Sequence, residues 1–169
     1  MKADELRALQ APLKQQYRAD PRSALVTSRV EVALDPALLR ARLDSGMPRF
    51  AGLHRATGGT GNAACSADLL LEALAACAGV TLLAVATSSG VELAAGRVIA
   101  EGAWDARGTL AVDKTVPVGM RDIVLTFVLD TSADRSELDR LLKTTERYCV
   151  ILATLQQASQ VTVSLKTTL

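Results

Sequence analysis

Three cysteines and one histidine are the side chains of this sequence whose chemistry goes beyond charge and packing: Cys65, Cys77, Cys149 and His54. A thiolate is a nucleophile that peroxides oxidise to sulfenic acid, and a sulfenic acid condenses with a second thiol to a disulfide. Metal binding is poorly served, with a single histidine and no Cys-x-x-Cys pair. No cofactor is implied. The bland account of a free cysteine is a small buried hydrophobe. Cys77, inside Leu-Leu-Glu-Ala-Leu-Ala-Ala-Cys-Ala-Gly, fits it well. A second cysteine, Cys149, falls on the apolar face of another helical stretch. If the two Cα atoms come within about 4.4–6.8 Å they can be bridged. In a reducing compartment such a dithiol is more often redox-active than structural. Both readings stay open on composition alone.

The elements that must place these thiols follow from periodicity. Residues 4–17 read as a short helical lead-in interrupted by Pro12. Ala24 to Leu34 alternates as a half-buried strand ended by Asp35-Pro36, and a short extended piece runs through Phe50 and Leu53. The run Thr57-Gly-Gly-Thr-Gly-Asn62 lacks a following Lys-Ser or Lys-Thr. It is read as a connector and not a phosphate loop. Ser66 to Thr87 is a helix apolar nearly all round, with Ser66 as N-cap and Asp68 and Glu72 in its first turns. It has the length of a membrane span, but its alanine content and acidic start favour a helix buried on every side in a soluble core. Gly96 to Trp104 and Thr109 to Val116 read as strands joined by an Arg107-Gly108 turn. Asp122 to Thr131 is expected as a central strand. Ser136 with Asp139 suggests a capping box opening a helix that carries Cys149 and runs to Leu155. Val161 to Leu165 is a last strand. The whole is one α+β domain over residues 1–169, two long helices on a mostly antiparallel sheet.

Composition narrows the partners. The 169 residues carry 19 Lys and Arg against 18 Asp and Glu, a net charge of +1, so nothing draws a phosphate backbone. Aromatic residues are 3%, too few for a base-stacking platform, and nucleic acid is not expected. Met-Lys-Ala-Asp-Glu leads into an amphipathic stretch and not a signal region, so a cytoplasmic location is expected. A helix apolar on every side has more surface than one small sheet and one helix can cover. This predicts a homodimer.

Asp68-Leu-Leu-Leu-Glu-Ala-Leu-Ala-Ala-Cys77 followed, about seventy residues on, by Glu146-Arg-Tyr-Cys149 resembles the OsmC/Ohr family of thiol-dependent peroxidases. The Gly58-Gly-Thr-Gly61 loop and the order of elements are similar too, from Ala24 to Leu165. The resemblance implies the OsmC-like fold, an intertwined homodimer with each site at its interface, and reduction of organic, fatty-acid-type hydroperoxides to alcohols. It makes Cys77 the peroxidatic thiol and Cys149 the resolving one. A thiol reductant, a dihydrolipoyl or thioredoxin-type protein, would recycle the disulfide. In the family an arginine tethered by a glutamate activates the first thiol.

Here the sequence departs from that pattern. Ala67 stands ten positions before Cys77, where the glutamate of the best-characterised branch falls, leaving Asp68 and Glu72 as the acids at hand. The Gly-x-Arg-x-Gly loop is absent, so Arg29, Arg40, Arg42 and Arg55 are all candidates for the cation. Val150 stands where proline is usual. These gaps motivate a rival to the enzyme reading: a stress-associated protein with the same fold that binds an apolar ligand at its dimer interface with little or no turnover. Cys65, beside the expected start of the long helix, is read as an incidental thiol, and His54 as a loop residue with local hydrogen bonds.

Overall fold

The computed structural model describes residues 2, 4–5, 8, 11, 19, 32–35, 40–44, 48–110, 113–157 and 159–167, and for residues 32–49 among these the backbone alone. The lead-in expected over residues 4–17 is helical at Asp4, Glu5, Ala8 and Ala11, the positions described there. The strand expected from Ala24 is described only at its end, as β1 (Val32–Asp35).

β1 pairs antiparallel with β2 (Arg40–Asp44), and β2 with β3 (Pro48–Gly52). A one-turn 3-10 helix, Arg55–Thr57, follows. The next residue, Gly58, has φ +89°, a left-handed conformation glycine adopts without a Cβ penalty, so the turn can reverse here. The chain then returns as β4 (Ala64–Cys65), parallel to β3 with Gly52 opposite Cys65, and passes directly into α1 (Ser66–Ser89). A four-stranded sheet, β1-β2-β3-β4, thus anchors the start of the long helix. After α1 come β5 (Ala95–Ala103), the one-turn helix α2 (Ala106–Thr109) and β6 (Arg121–Asp130). The chain ends on α3 (Arg135–Tyr148) and α4 (Val150–Gln156). β5 and β6 form an antiparallel pair of their own, with a register irregularity between Glu101 and Ala103.

The core lies where α1 meets α3 and the β5–β6 pair. Leu82, Ala86 and Leu141 are buried, packed on by Val85, Val91, Leu93, Phe127, Leu129, Leu138 and Leu142. α1 lies against β5 at Gly79, where a Cβ would sit at ordinary van der Waals distance, 3.5 Å, from the Val98 methyl.

Several expectations are corrected. Leu74, Ala78, Leu82 and Ala86 form one buried stripe of α1, while Val80 is 69% exposed; the helix is covered on one side within the chain, not on all. Its length and its mean hydropathy of 2.2 suit a membrane span, yet here it packs on β5 and α3. The N-cap of α1 is Cys65 and not Ser66, with no side-chain cap bond. Where a strand was expected over Thr109–Val116, Thr109 closes α2 and the described residues Asp113–Val116 form a turn, not a strand. Asp105 caps α2 by accepting from the Arg107 N–H at 2.9 Å, and it pairs with the Arg107 guanidinium at 2.7 Å. That local bonding outcompetes an extended chain. β6 is not central: among the described residues it pairs with β5 only. The capping box of α3 is Asp134 with Glu137, not Ser136 with Asp139. Residues 161–165 form no strand and are exposed. The single helix expected to carry Cys149 through to Leu155 breaks at Cys149 itself.

Candidate active site

Cys77 sits in mid-α1, between the buried Leu74 and Ala78 on one side and Thr81 one turn on. Apolar residues at this spacing turn that stripe inward, towards the junction of α3 and α4. Cys149 is that junction. Its backbone is extended, φ −76° and ψ 108°, so it ends α3 and begins α4 at once. Its N–H donates to the Thr145 carbonyl at 2.9 Å, and its carbonyl accepts from the Ala153 N–H at 2.9 Å. The side chain is fully buried. Thr145, one turn earlier and also buried, satisfies its hydroxyl on the Leu141 carbonyl at 2.8 Å.

A helix start leaves its first N–H groups without partners inside the helix. In α4 these belong to Val150, Ile151 and Leu152, and they face the two sulfurs. Burial pushes the Cys77 thiol up. The donors around it outweigh that: the Ile151 N–H first, then the Cys149 thiol, the Val150 N–H and the Thr81 hydroxyl. Together they hold Cys77 below the ordinary cysteine value. Cys149 goes the other way. Burial raises it, the Leu152 and Ile151 N–H groups pull against this, and the adjacent Cys77 sulfur raises it further. The pair is therefore asymmetric: one thiol is disposed to ionise while its neighbour keeps its proton. Both are free thiols.

Asp68 and Glu72 lie exposed in the first two turns of α1. Glu72 is engaged in an interaction. Arg40 and Arg42 lie on β2, opposite Gly52 and Phe50 of β3, and their side chains are outside the described set. Arg29 lies outside the described residues altogether. Arg55 is exposed, with its guanidinium packed over Gly61 and not on the thiols. His54 caps the 3-10 helix, its Nδ1 accepting from the Ala56 N–H at 3.0 Å, and its ring meets Trp104 edge-on at 5.2 Å. That is the local role expected of it. Cys65 starts α1, twelve residues before Cys77, which along a helix is about 18 Å. Among the described residues no cluster of His, Cys, Asp and Glu could hold a metal ion.

Sequence reasoning looked for a cation and overlooked the donors found here, the backbone of Val150 and Ile151 and the hydroxyl of Thr81. Thr81 had a signal, lying four residues after Cys77 on the same helix face. The N–H groups had almost none, because nothing in Tyr148-Cys-Val-Ile marks a helix start.

Two depressions flank this region. One of about 570 Å³ lies along α1 and β5, with Ala76, Gly79, Val80, Leu83 and Val98 in its walls. The other, of about 370 Å³, adjoins the α3–α4 junction.

The family model described as OsmC-like protein matches residues 59–164. No curated protein matches the chain. Among solved structures, the chain is similar to the OsmC-like protein of Mycoplasma pneumoniae. Identity is 15% and the TM-score 0.66, covering 78% of this chain and 88% of that one. It is similar also to an organic hydroperoxide resistance protein of Elizabethkingia anophelis, at 13% identity and TM-score 0.62, covering 78% and 90%. For the organic hydroperoxide resistance protein OhrB of Bacillus subtilis the figures are 19% identity, TM-score 0.54, and 79% and 93% coverage. These likenesses carry the fold. With a family match over more than half its length, and the paired thiols within that match, the chain belongs to the OsmC-like family.

Proposed function

We propose that the protein is a cysteine-based peroxidase that reduces organic hydroperoxides to alcohols, acting as a homodimer in the cytoplasm and without a cofactor. The observation that carries this reading is geometric: the Cys77 and Cys149 thiols meet within hydrogen-bond reach at the start of α4, where the Ile151 and Val150 N–H groups face Cys77. In the reaction, the Cys77 thiolate attacks the distal oxygen of R–O–O–H and the O–O bond breaks. Cys77 becomes a sulfenic acid, and the alkoxide takes a proton to leave as alcohol. Cys149 then attacks the Cys77 sulfur; its proton leaves with the hydroxyl as water, and the disulfide remains. An external thiol reductant supplies two electrons to restore both thiols. The N–H groups of α4 do the work that an arginine was expected to do, so the missing Gly-x-Arg-x-Gly loop does not leave Cys77 without activation.

The rival reading, an apolar ligand bound without turnover, draws on the apolar groove beside α1. The two are separated by peroxide consumption. Wild type should consume cumene hydroperoxide faster than hydrogen peroxide, and Cys77→Ser should consume neither. Equal rates in wild type and Cys77→Ser would leave the binding reading in possession.

A further inference from the structure

If Cys77 and Cys149 form the catalytic disulfide, an outside thiol must break it, and the two sulfurs are not equivalent targets. Cys149 borders the depression of about 370 Å³, together with Arg147, Tyr148, Val150, Thr154 and Gln157. Tyr148 and Val150, on either side of Cys149, are 62% and 69% exposed. The Arg147 guanidinium lies 5.7 Å from the centre of the Tyr148 ring, a cation held at the rim. We infer that a thiol reductant carrying negative charge enters by this depression, with Arg147 as its selectivity residue, and attacks the Cys149 sulfur of the disulfide.

The inference rests on the proposed redox pair and deepens it. Attack at Cys149 makes Cys77 the leaving group, and a thiol that ionises readily leaves faster. Cys77 is the member of the pair held low. The reductant thiolate forms a new S–S bond to Cys149 as the Cys77–Cys149 bond breaks, and Cys77 departs as thiolate. A second reductant thiol then attacks the mixed disulfide, releasing Cys149, which takes up a proton, and leaving the reductant as a disulfide. Two electrons have passed, and both cysteines are reduced. The side chain of Cys149 is shielded in the dithiol form. It stands at the one residue between α3 and α4 where the backbone already departs from helical geometry, so its sulfur can turn towards the depression with little loss of helix.

The test uses full-length Cys65→Ser protein, oxidised with diamide, so that it does not depend on peroxide turnover. Two monothiols of similar size are compared, anionic 2-mercaptoethanesulfonate and cationic cysteamine, with acid quenching and peptide mapping of the mixed disulfide. The adduct is expected on Cys149. The sulfonate should react about tenfold faster than cysteamine at low salt, and Arg147→Gln should abolish most of that ratio. Adducts on Cys77, or a charge preference unchanged in Arg147→Gln, would overturn the inference. A disulfide that forms with diamide but never with hydroperoxide would instead defeat the peroxidase reading and leave this one standing.

Discussion

A thiol inside an apolar helix is ordinarily a weak acid, because burial disfavours its charge. Cys77 escapes this because a second helix begins against its sulfur. The sign of the pH dependence follows. Only the thiolate attacks peroxide, and Cys77 ionises below the ordinary cysteine value. The rate should therefore fall as pH drops through that lowered value and level off above it, with its midpoint below that of an ordinary cysteine. Val150→Pro tests the cause. Proline is tolerated at the first helical position, and Cys149 already has the extended backbone that a following proline demands. The variant should fold with a Tm within a few degrees of wild type. It lacks one N–H donor to Cys77, so the midpoint for alkylation of Cys77 should move upward. A midpoint at the ordinary cysteine value in wild type, or one unmoved in Val150→Pro, would contradict the account. The pairing of the two thiols was legible from residue type and motif, but the donors beside them were not, since backbone groups leave no mark in composition. The proline usual in the family at position 150 was the nearest signal of a helix start there, and this chain carries valine.

The elements were read well where one signal dominated. α1, β5 and β6 announce themselves through long apolar or alternating runs, and their observed bounds lie within a residue or two of those expected. They were read poorly where competing signals lay close together. Asp134 and Ser136 are both good N-caps, and the structure uses Asp134: its carboxylate accepts the Glu137 N–H at 2.8 Å, and the Glu137 carboxylate accepts the Asp134 N–H at 2.9 Å. Asp134→Ala should therefore cost about 1 kcal/mol of stability, measured by urea unfolding. Ser136→Ala should stay within about 0.5 kcal/mol of wild type. The reverse ranking would show that α3 starts later than described. The break at Cys149 was missed for a related reason. Leu141, Thr145, Cys149 and Leu152 keep the helical spacing across it, so periodicity runs on through a junction that only the backbone reveals.

At the scale of the molecule, the governing feature is the apolar surface that one chain leaves open. One chain buries a single stripe of α1, leaving Val80 and Leu83 exposed. Val161, Val163 and Leu165 are also exposed, Val163 at 91%, although they alternate as a strand would. β6 pairs on one side only among the described residues. Unpaired edges and apolar faces of this kind call for a partner, and a two-fold pair of identical chains is the commonest solution. Sedimentation should give twice the chain mass of 17.8 kDa at micromolar concentration. A single species at the chain mass would reject the dimer. The excess of apolar surface on the long helix was legible in the sequence; which face one chain covers depends on packing at Gly79 and Leu82, which no local pattern encodes.

The central claim, that Cys77 and Cys149 are a catalytic pair, is tested most directly by peptide mapping after treatment with one equivalent of organic hydroperoxide under non-reducing conditions. The account predicts a Cys77–Cys149 disulfide within one chain and a free Cys65, since about 18 Å of helix separates Cys65 from Cys77. In Cys149→Ser the reaction should stop at the Cys77 sulfenic acid and pass to the sulfinic form as peroxide is raised. A Cys77 that stays reduced while Cys65 oxidises, or a dominant disulfide to Cys65, would contradict it.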